Sequence, residues 1–406
     1  MPNPFSNPMA LSCGVSTPAS PAPALAGLYV HVPFCRSKCP YCDFYSLGDL
    51  GLIAPYVQAL LTELTMRRQR DFYVDSIYFG GGTPSILEPH QVARILEAVD
   101  VCFGMAADVE ISLEVNPGTV DREKLVHYRQ VGINRVNIGL QSSDDRILAF
   151  LGRIHQVGQG VDTLRWARAA GFDNVRLDLI YGIPGQTRRG WRADMARAVQ
   201  LAPDHLACYN LTIAAGTPMA AGVENGTIQL LDERLAADLF ALTAAYLSRN
   251  GYRQYEISNF FRPGGDGAAD RRSRHNWKYW ILAPYLGFGP AAHSFLDNRR
   301  WWNHRSLGRY LTDLKGGVLP VAGRETLSRE QQIMEYIYLG LRRTEGIDLA
   351  DFKRRFNADF KDCFGPAMIR LTEGGLAETV SGRVRLTDRG MRLLESVADR
   401  LLSVYP

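Results

Sequence analysis

From Leu28 onward, apolar runs of strand length alternate with segments whose apolar residues recur at helical spacing. The strand-like runs are LYVHV (28–32), DSIYF (75–79), VEISLEV (109–115), NRVNIGL (134–140), NVRLDLI (174–180) and DHLACYNLT (204–212). Between them, Val57, Leu60, Leu61 and Leu64 make one apolar stripe, and Leu235, Leu239, Leu242 and Tyr246 make another, each the mark of a helix with one buried face. Gly251 then supplies a helix stop. Crossovers of helical period between successive strands imply parallel pairing, so the six units predict an α/β sheet, either open and doubly wound or rolled into a barrel. Periodicity alone does not separate the two.

The pattern changes at both ends of this region. The first 26 residues, rich in Pro, Ser and Ala without apolar periodicity, read as a disordered extension outside the fold. After the α/β region (27–251), residues 252–323 carry the Gly- and Arg-rich stretch RPGGDGAADRRSRHN and then Trp277, Tyr279, Trp280, Trp301 and Trp302, and read as an irregular, aromatic-rich connection. Residues 324–406 return to helical patterns and end in GLAETVSGRVRLT, two β-like runs joined by Ser381-Gly382, as in a winged-helix module. Its third helical pattern, GPAMIRLTEGG, has little basic surface, which favours packing or a protein partner over DNA.

Composition narrows the class. A chain of 406 residues, 46% hydrophobic and 22% charged, has material for a full core, and a formal charge of +4 is too small to point to nucleic acid. Residues 1–35 hold no charged side chain, so the basic start of a secretory signal is missing, and no apolar run reaches spanning length. Seven cysteines, an odd number, speak against a disulfide framework, and the expected compartment is the cytoplasm.

Three of those cysteines, Cys35, Cys39 and Cys42, fall within FCRSKCPYCDF, on the loop after the first strand. Thiolates on one short loop can converge on a metal centre. With His31 as a fourth ligand the site would be structural zinc. With Phe44 where a further thiol could stand, one iron of a four-iron cluster would be left open to an outside ligand.

The other unusual residues fall at the C-terminal ends of the strands, where a parallel barrel carries its reactive face. Gly80, Gly81, Gly82 and Thr83 follow the second strand, Glu114 closes the third, Gln141 follows the fourth, Asp178 lies late on the fifth beside Arg176, and Tyr209 lies late on the sixth. Glycines there let backbone approach a small polar ligand, and the alternation in ISLEV puts Glu114 on a polar face directed into a barrel.

Cys-x3-Cys-x2-Cys in this setting resembles the signature of radical S-adenosylmethionine (SAM) enzymes. YVHVPFCRSKCPYCDF, FGGGTPS, LEVNPGT, NRVNIGLQS, LGRIH, LDLIYGIPGQT, GYRQYEISNF, RHNWKYW and YLGFGPAAHSF together resemble the coproporphyrinogen III dehydrogenase-like (HemN-like) branch, and within it most closely the HemW haem chaperones. The resemblance implies a partial (β/α)6 TIM-like barrel with a C-terminal helical, winged-helix-like domain. It implies a [4Fe–4S] cluster on Cys35, Cys39 and Cys42, and SAM contacts from Tyr29, Gly81, Gly82, Thr83, Glu114, Gln141, Arg153 and Asp178. In that superfamily the open iron chelates the methionine end of SAM, and an electron cleaves the sulfonium.

Related HemN dehydrogenases show an additional cysteine at the position of Phe44, so its absence favours the chaperone branch. HNWKYW looks like the HNxxYW motif linked to haem binding there, which makes His275 the expected haem residue and His293 a second candidate. The expected partners are haem, haem-acceptor proteins and an electron donor, with room for a homodimer and a transient membrane contact. The rival functions are oxidative decarboxylation of coproporphyrinogen III and a zinc-stabilised scaffold. Ala214 and Ala215, where relatives commonly show Glu-Pro, and the lengthened GGDGAADRR loop depart from the pattern.

Overall fold

In the computed structural model, which describes residues 24–69, 72–264 and 270–405, the six strand-like runs form β1 (Ala24–Val32), β2 (Phe72–Gly81), β3 (Met105–Val115), β4 (Arg135–Gln141), β5 (Val175–Tyr181) and β6 (His205–Asn210). Each pairs in parallel with the next. The crossovers carry α1 (Ile53–Met66), α2 (Pro89–Phe103), α3 (Arg122–Gln130), α4 (Asp145–Phe150), α5 (Val157–Ala169) and α6 (Arg188–Gln200), and α7 (Pro218–Glu224) and α8 (Glu233–Arg249) follow β6. The expected stripes are the buried faces of α1 and α8, and Gly251 follows the α8 cap with φ +82°.

Alternation decides what each strand face does. Leu28 and Val30, Leu113 and Val115, Val136 and Ile138, and Leu177 and Leu179 belong to one apolar core with Val57, Leu60, Val92, Ile95 and Leu164 of the helices. The opposite face carries Tyr29, His31, Tyr78, Ser112, Glu114, Arg135, Asn137, Arg176 and Asp178. Parallel strands covered on both sides usually read as continuous apolar runs. Here the inner face is polar, and the strands enclose a site.

Two expectations need correction. β1 begins at Ala24, within the stretch assigned to the extension, because its backbone pairs with β2 from Ala24 opposite Phe72 onward; residues 1–23 lie outside those described. Residues 252–323 are not irregular: they form β7 (Arg253–Gln254), β8 (Asn259–Phe261), α9 (Arg274–Trp280), β9 (Tyr285–Phe288), β10 (His293–Leu296), β11 (Arg299–Asn303), α10 (Leu307–Lys315) and the first half of β12 (Val321–Thr326). These strands are too short to carry a periodic signal, and pairing to an existing sheet edge supplies their order. The insertion before His275 falls partly on residues 265–269, outside those described.

The result is one twelve-stranded sheet, ordered β12-β11-β10-β9-β1-β2-β3-β4-β5-β6-β8-β7. Its end strands do not meet, so the barrel is partial. A buried carboxylate fixes the added strands to the first helix: Glu63 Oε1 accepts from Asn303 Nδ2 (2.8 Å) and Arg67 Nε (3.0 Å), and Oε2 from Tyr310 OH (2.7 Å) and the Gly289 amide (2.9 Å).

The C-terminal region has its own core. It contains α11 (Arg329–Arg342), β13 (Ile347–Asp348), α12 (Leu349–Phe356), α13 (Phe360–Glu373), β14 (Ala377–Val380), β15 (Arg383–Leu386), α14 (Asp388–Met391) and α15 (Leu394–Leu402). Its three strands pair in the order β13-β15-β14 beside the helices, the winged-helix arrangement, around Phe352, Phe356, Phe360 and Phe364. Among the described residues no helix is long and apolar enough to cross a membrane.

Candidate functional site

A cavity of about 510 Å³ opens at the C-terminal ends of β1–β6. Cys42, Gly81, Gly82, Thr83, Glu114, Gln141, Arg153 and Asp178 all line it. Five separate strand ends, those of β1 to β5, thus bring eight of the expected residues together.

The β2 turn is shaped by close approach. A Cβ on Gly82 would stand 2.6 Å from the Phe34 carbonyl oxygen, so only glycine lets this turn lie against the cysteine loop. The Gly82 and Thr83 amides donate to Val32 O (2.9 Å) and Phe34 O (2.8 Å), and Thr83 Oγ1 donates to Cys35 Sγ at 3.3 Å. Cys39 Sγ lies 3.8 Å from Arg153 Nη1, and the same guanidinium donates through Nη2 to Gly139 O at 3.1 Å. The Cys42 thiol is pushed up by burial, with the neighbouring Cys39 and Cys35 adding to the effect.

That donor set fits an iron–sulfur cluster better than zinc. His31 does not complete a Cys₃His site: Nε2 is 2.9 Å from Tyr45 O, Nδ1 is 3.2 Å from Tyr29 OH, and burial holds its pKa near 4. Among the described residues no group of three or more His, Cys, Asp or Glu side chains is arranged to hold a single metal ion. Cluster ligands each bind their own iron and need not meet at a point. Phe44 is 60% exposed and brings no donor to the cavity rim.

The polar wall fits a cationic, hydroxyl-bearing ligand. Glu114 Oε1 accepts from Tyr78 OH at 2.8 Å, and burial raises its carboxyl to about 7. Asp178 Oδ1 accepts from Arg176 Nε at 2.5 Å, and Arg176 Nη2 donates to Tyr209 OH at 2.5 Å. Gln141 has a left-handed backbone, φ 66°, unusual for a residue with a side chain, and its amide lies over Gly139, where a Cβ would stand 2.8 Å from Nε2.

Sequence reasoning does not single out Asn137. It is 1% exposed, lines the floor of the cavity, and leaves both amide atoms without a partner. Arg176 Nη1 and Arg153 Nε are also unpaired. Glu114, Asn137 and Arg176 stand in register on β3, β4 and β5. Orphaned polar atoms around an open cavity suit a polar ligand that supplies the missing partners. The alternation that located Glu114 would also have located Asn137 in NRVNIGL.

Three expected residues lie elsewhere. Tyr29 is a layer below the cavity, its ring stacked on Tyr78 (6.2 Å) and His275 (6.3 Å). His275 is at the opposite end of the barrel: α9 crosses the starts of β2 and β3, with the His275 amide on Glu110 Oε1 (3.1 Å) and Lys278 paired to Asp75 (2.9 Å). His293 is exposed on β10 and stacks on Trp302 at 5.8 Å. His155 is buried in its loop, 3.4 Å from Leu140 O.

Comparison with known proteins gives the same outline. The sequence profile of the Radical SAM superfamily matches residues 29–198, and that of the HemN C-terminal domain matches residues 327–393. A curated protein of Mycobacterium tuberculosis H37Rv named "Heme chaperone HemW" is 36% identical over 386 residues, 93% of this chain and 94% of its own. One of the same name from Lactococcus lactis is 32% identical over 381 residues, 92% of this chain and 96% of its own. The solved structure of coproporphyrinogen III oxidase (HemN) from Escherichia coli superposes with a TM-score of 0.80 over 94% of this chain and 91% of that one; at 24% identity it speaks to the fold.

Proposed function

The chain belongs to the HemW family within the radical SAM superfamily, and we propose on that footing that it is a haem chaperone, binding haem and passing it to acceptor proteins. The observation that carries this reading is the near full-length match to curated relatives bearing that name. The polar cavity beside the cysteine loop supports the cofactor part of it.

Cys35, Cys39 and Cys42 are the residues that would hold a [4Fe–4S] cluster. Bound there, the cluster supplies an electron and an open iron position for the methionine end of SAM. Around that position the chain's own groups have separable tasks. Gly81, Gly82 and Thr83 keep the β2 turn close to the loop. Glu114 and Asp178 accept hydrogen bonds from ammonium and ribose hydroxyls, and Gln141 and Arg153 donate to a carboxylate. Tyr29 serves the site from beneath, through its stack on Tyr78.

The HNWKYW segment and His293 are the haem-contact candidates. In the same proposal residues 27–251 hold cluster and SAM, 252–323 meet haem, and 324–406 meet partners. An electron donor is implied, the compartment is the cytoplasm, and a homodimer or transient membrane contact fits the same picture.

The test is a haemin titration of anaerobically reconstituted full-length protein, with and without SAM, followed by transfer to an apo-haemoprotein. We expect saturable binding, transfer, and about four irons and four sulfides per chain. Formation of protoporphyrinogen from coproporphyrinogen III would replace the chaperone with a dehydrogenase. One zinc and no sulfide would restore the scaffold reading.

A further inference from the structure

The expected haem residue is closed off. His275 is 1% exposed, with Nδ1 3.2 Å from Ser76 Oγ and Nε2 2.9 Å from Tyr279 OH. Its ring also lies 5.3 Å from that of Tyr78, and a Cβ placed on Gly27 would come within 3.1 Å of it. An iron could reach this imidazole only after α9 left the barrel floor. Burial, with Lys278 next to it, keeps the ring neutral, its pKa near 3.

Tyr279, one turn along the same motif, does face a ligand-sized space. Its ring helps to wall an apolar groove of about 460 Å³ between the β9–β10 side of the sheet and helices α11 and α15. Tyr285 packs edge-on against Tyr279 at 4.7 Å, and Phe295 lies 6.2 Å from Tyr285. Tyr338 and Leu339 face them from α11. The volume is within the ordinary range for a small-molecule site, ~300–1,000 Å³, and aromatic walls suit a flat macrocycle.

The groove also offers an iron ligand. Met334, 47% exposed, lines it, and among the described residues no His or Cys does. A thioether binds haem iron without losing a proton. The phenols of Tyr285 and Tyr338 are held above their ordinary pKa, chiefly by burial, and would have to ionise first. Of the charged groups at the groove, Arg300 is tied to Glu335 by two bonds of 2.8 and 2.7 Å, which leaves Asp399 as the surplus charge. A negative surplus turns propionates outward to solvent and admits the apolar edge of a porphyrin.

We propose that haem docks in this groove, with the Met334 thioether as its protein ligand and with His275 positioning Tyr279 as the wall between groove and barrel. The inference rests on the haem-chaperone reading and moves its iron contact from His275 and His293 to the groove that Tyr279 of the same segment lines. A ligand held at the junction with the C-terminal module, propionates outward, is placed for transfer to a partner docked there.

The experiment is a haemin titration, ferric and then dithionite-reduced, on full-length cluster-loaded protein and on Met334→Ala, Met334→His, Leu339→Glu and His275→Ala, each checked for iron and sulfide content. Met334→Ala should lose the thioether signature and bind about tenfold more weakly, and Leu339→Glu should weaken binding by about the same factor. Met334→His should keep binding while its bands and paramagnetic resonance move to those of imidazole ligation. His275→Ala should lower affinity a few-fold, about 2 to 5, without changing the ligand signature. Saturable binding in the unaltered protein with Met334 variants indistinguishable from it, or loss of the axial signature in His275→Ala, overturns the groove assignment and leaves the chaperone reading standing. No haem binding by the unaltered protein overturns both.

Discussion

The hydroxyl of Tyr78 donates a 2.8 Å hydrogen bond to Oε1 of Glu114, joining the aromatic floor of the barrel to the one cavity carboxyl that burial lifts to about 7. Asp178 pushes this carboxyl further up, while Tyr78 and Arg176 pull it down. Below about 7 it is protonated and a poor acceptor for a cation; above, it is a carboxylate. SAM affinity should therefore rise as pH increases through about 7 and level off beyond. Binding measured across that window in Glu114→Gln should lose the step. Tyr78→Phe, which removes a bond favouring the charged form, should move the midpoint to higher pH; an unmoved midpoint would show that another group titrates.

Asn137 gives a second prediction, opposite in sign for stability and binding. Its amide is buried without partners, so Asn137→Leu removes an uncompensated polar group, and the ligand-free protein should melt no lower than before. The same change should weaken SAM binding by about tenfold, ~1.4 kcal/mol, the scale of one lost hydrogen bond. Calorimetric titration against thermal melting separates the two effects, and unchanged affinity would remove Asn137 from the site.

Iron and sulfide analysis checks the cluster ligands. Substituting Ala for any one of Cys35, Cys39 or Cys42 should abolish stable cluster loading. Phe44→Ala should leave the iron and sulfide content unchanged, since the exposed ring brings no donor.

Glu63 is expected to matter for folding and not for binding. Glu63→Ala leaves the Arg67 guanidinium, Asn303, Tyr310 and the Gly289 amide short of an acceptor in the interior. Removing one member of such a buried ionic cluster costs about 3–5 kcal/mol. A fall in the urea midpoint with SAM affinity per folded molecule preserved is the expected result; an unchanged midpoint would show that the added strands hold without it.

Much of the site was legible in the sequence because its signals are local. The cysteine spacing is local, and so is the glycine turn, which can only lie beside the loop when its strand pairs with β1. Alternation in ISLEV and VRLDL assigned Glu114 and Asp178 to the inner face before any strand was paired. The same rule, had it been applied to NRVNIGL, would also have reached Asn137, whose significance lies in the lack of partners and so was not visible. The setting of the haem motif was not legible: HNWKYW holds an imidazole and aromatics, but the sequence does not reveal that Ser76, Glu110 and Asp75, more than 160 residues earlier, fasten its helix across the barrel floor.

The amino-acid order by itself determined the parallel α/β units, the three-thiol loop and which side chains share a face, because strand and helix periods fix side-chain direction within a few residues. Only the tertiary structure decided that the sheet continues past residue 252, that Glu63 meets Asn303 and Tyr310, that His275 is enclosed and that Tyr279 walls an open groove. Those outcomes depend on contacts between segments far apart in the chain, and such contacts form only when strand pairing has brought the segments together.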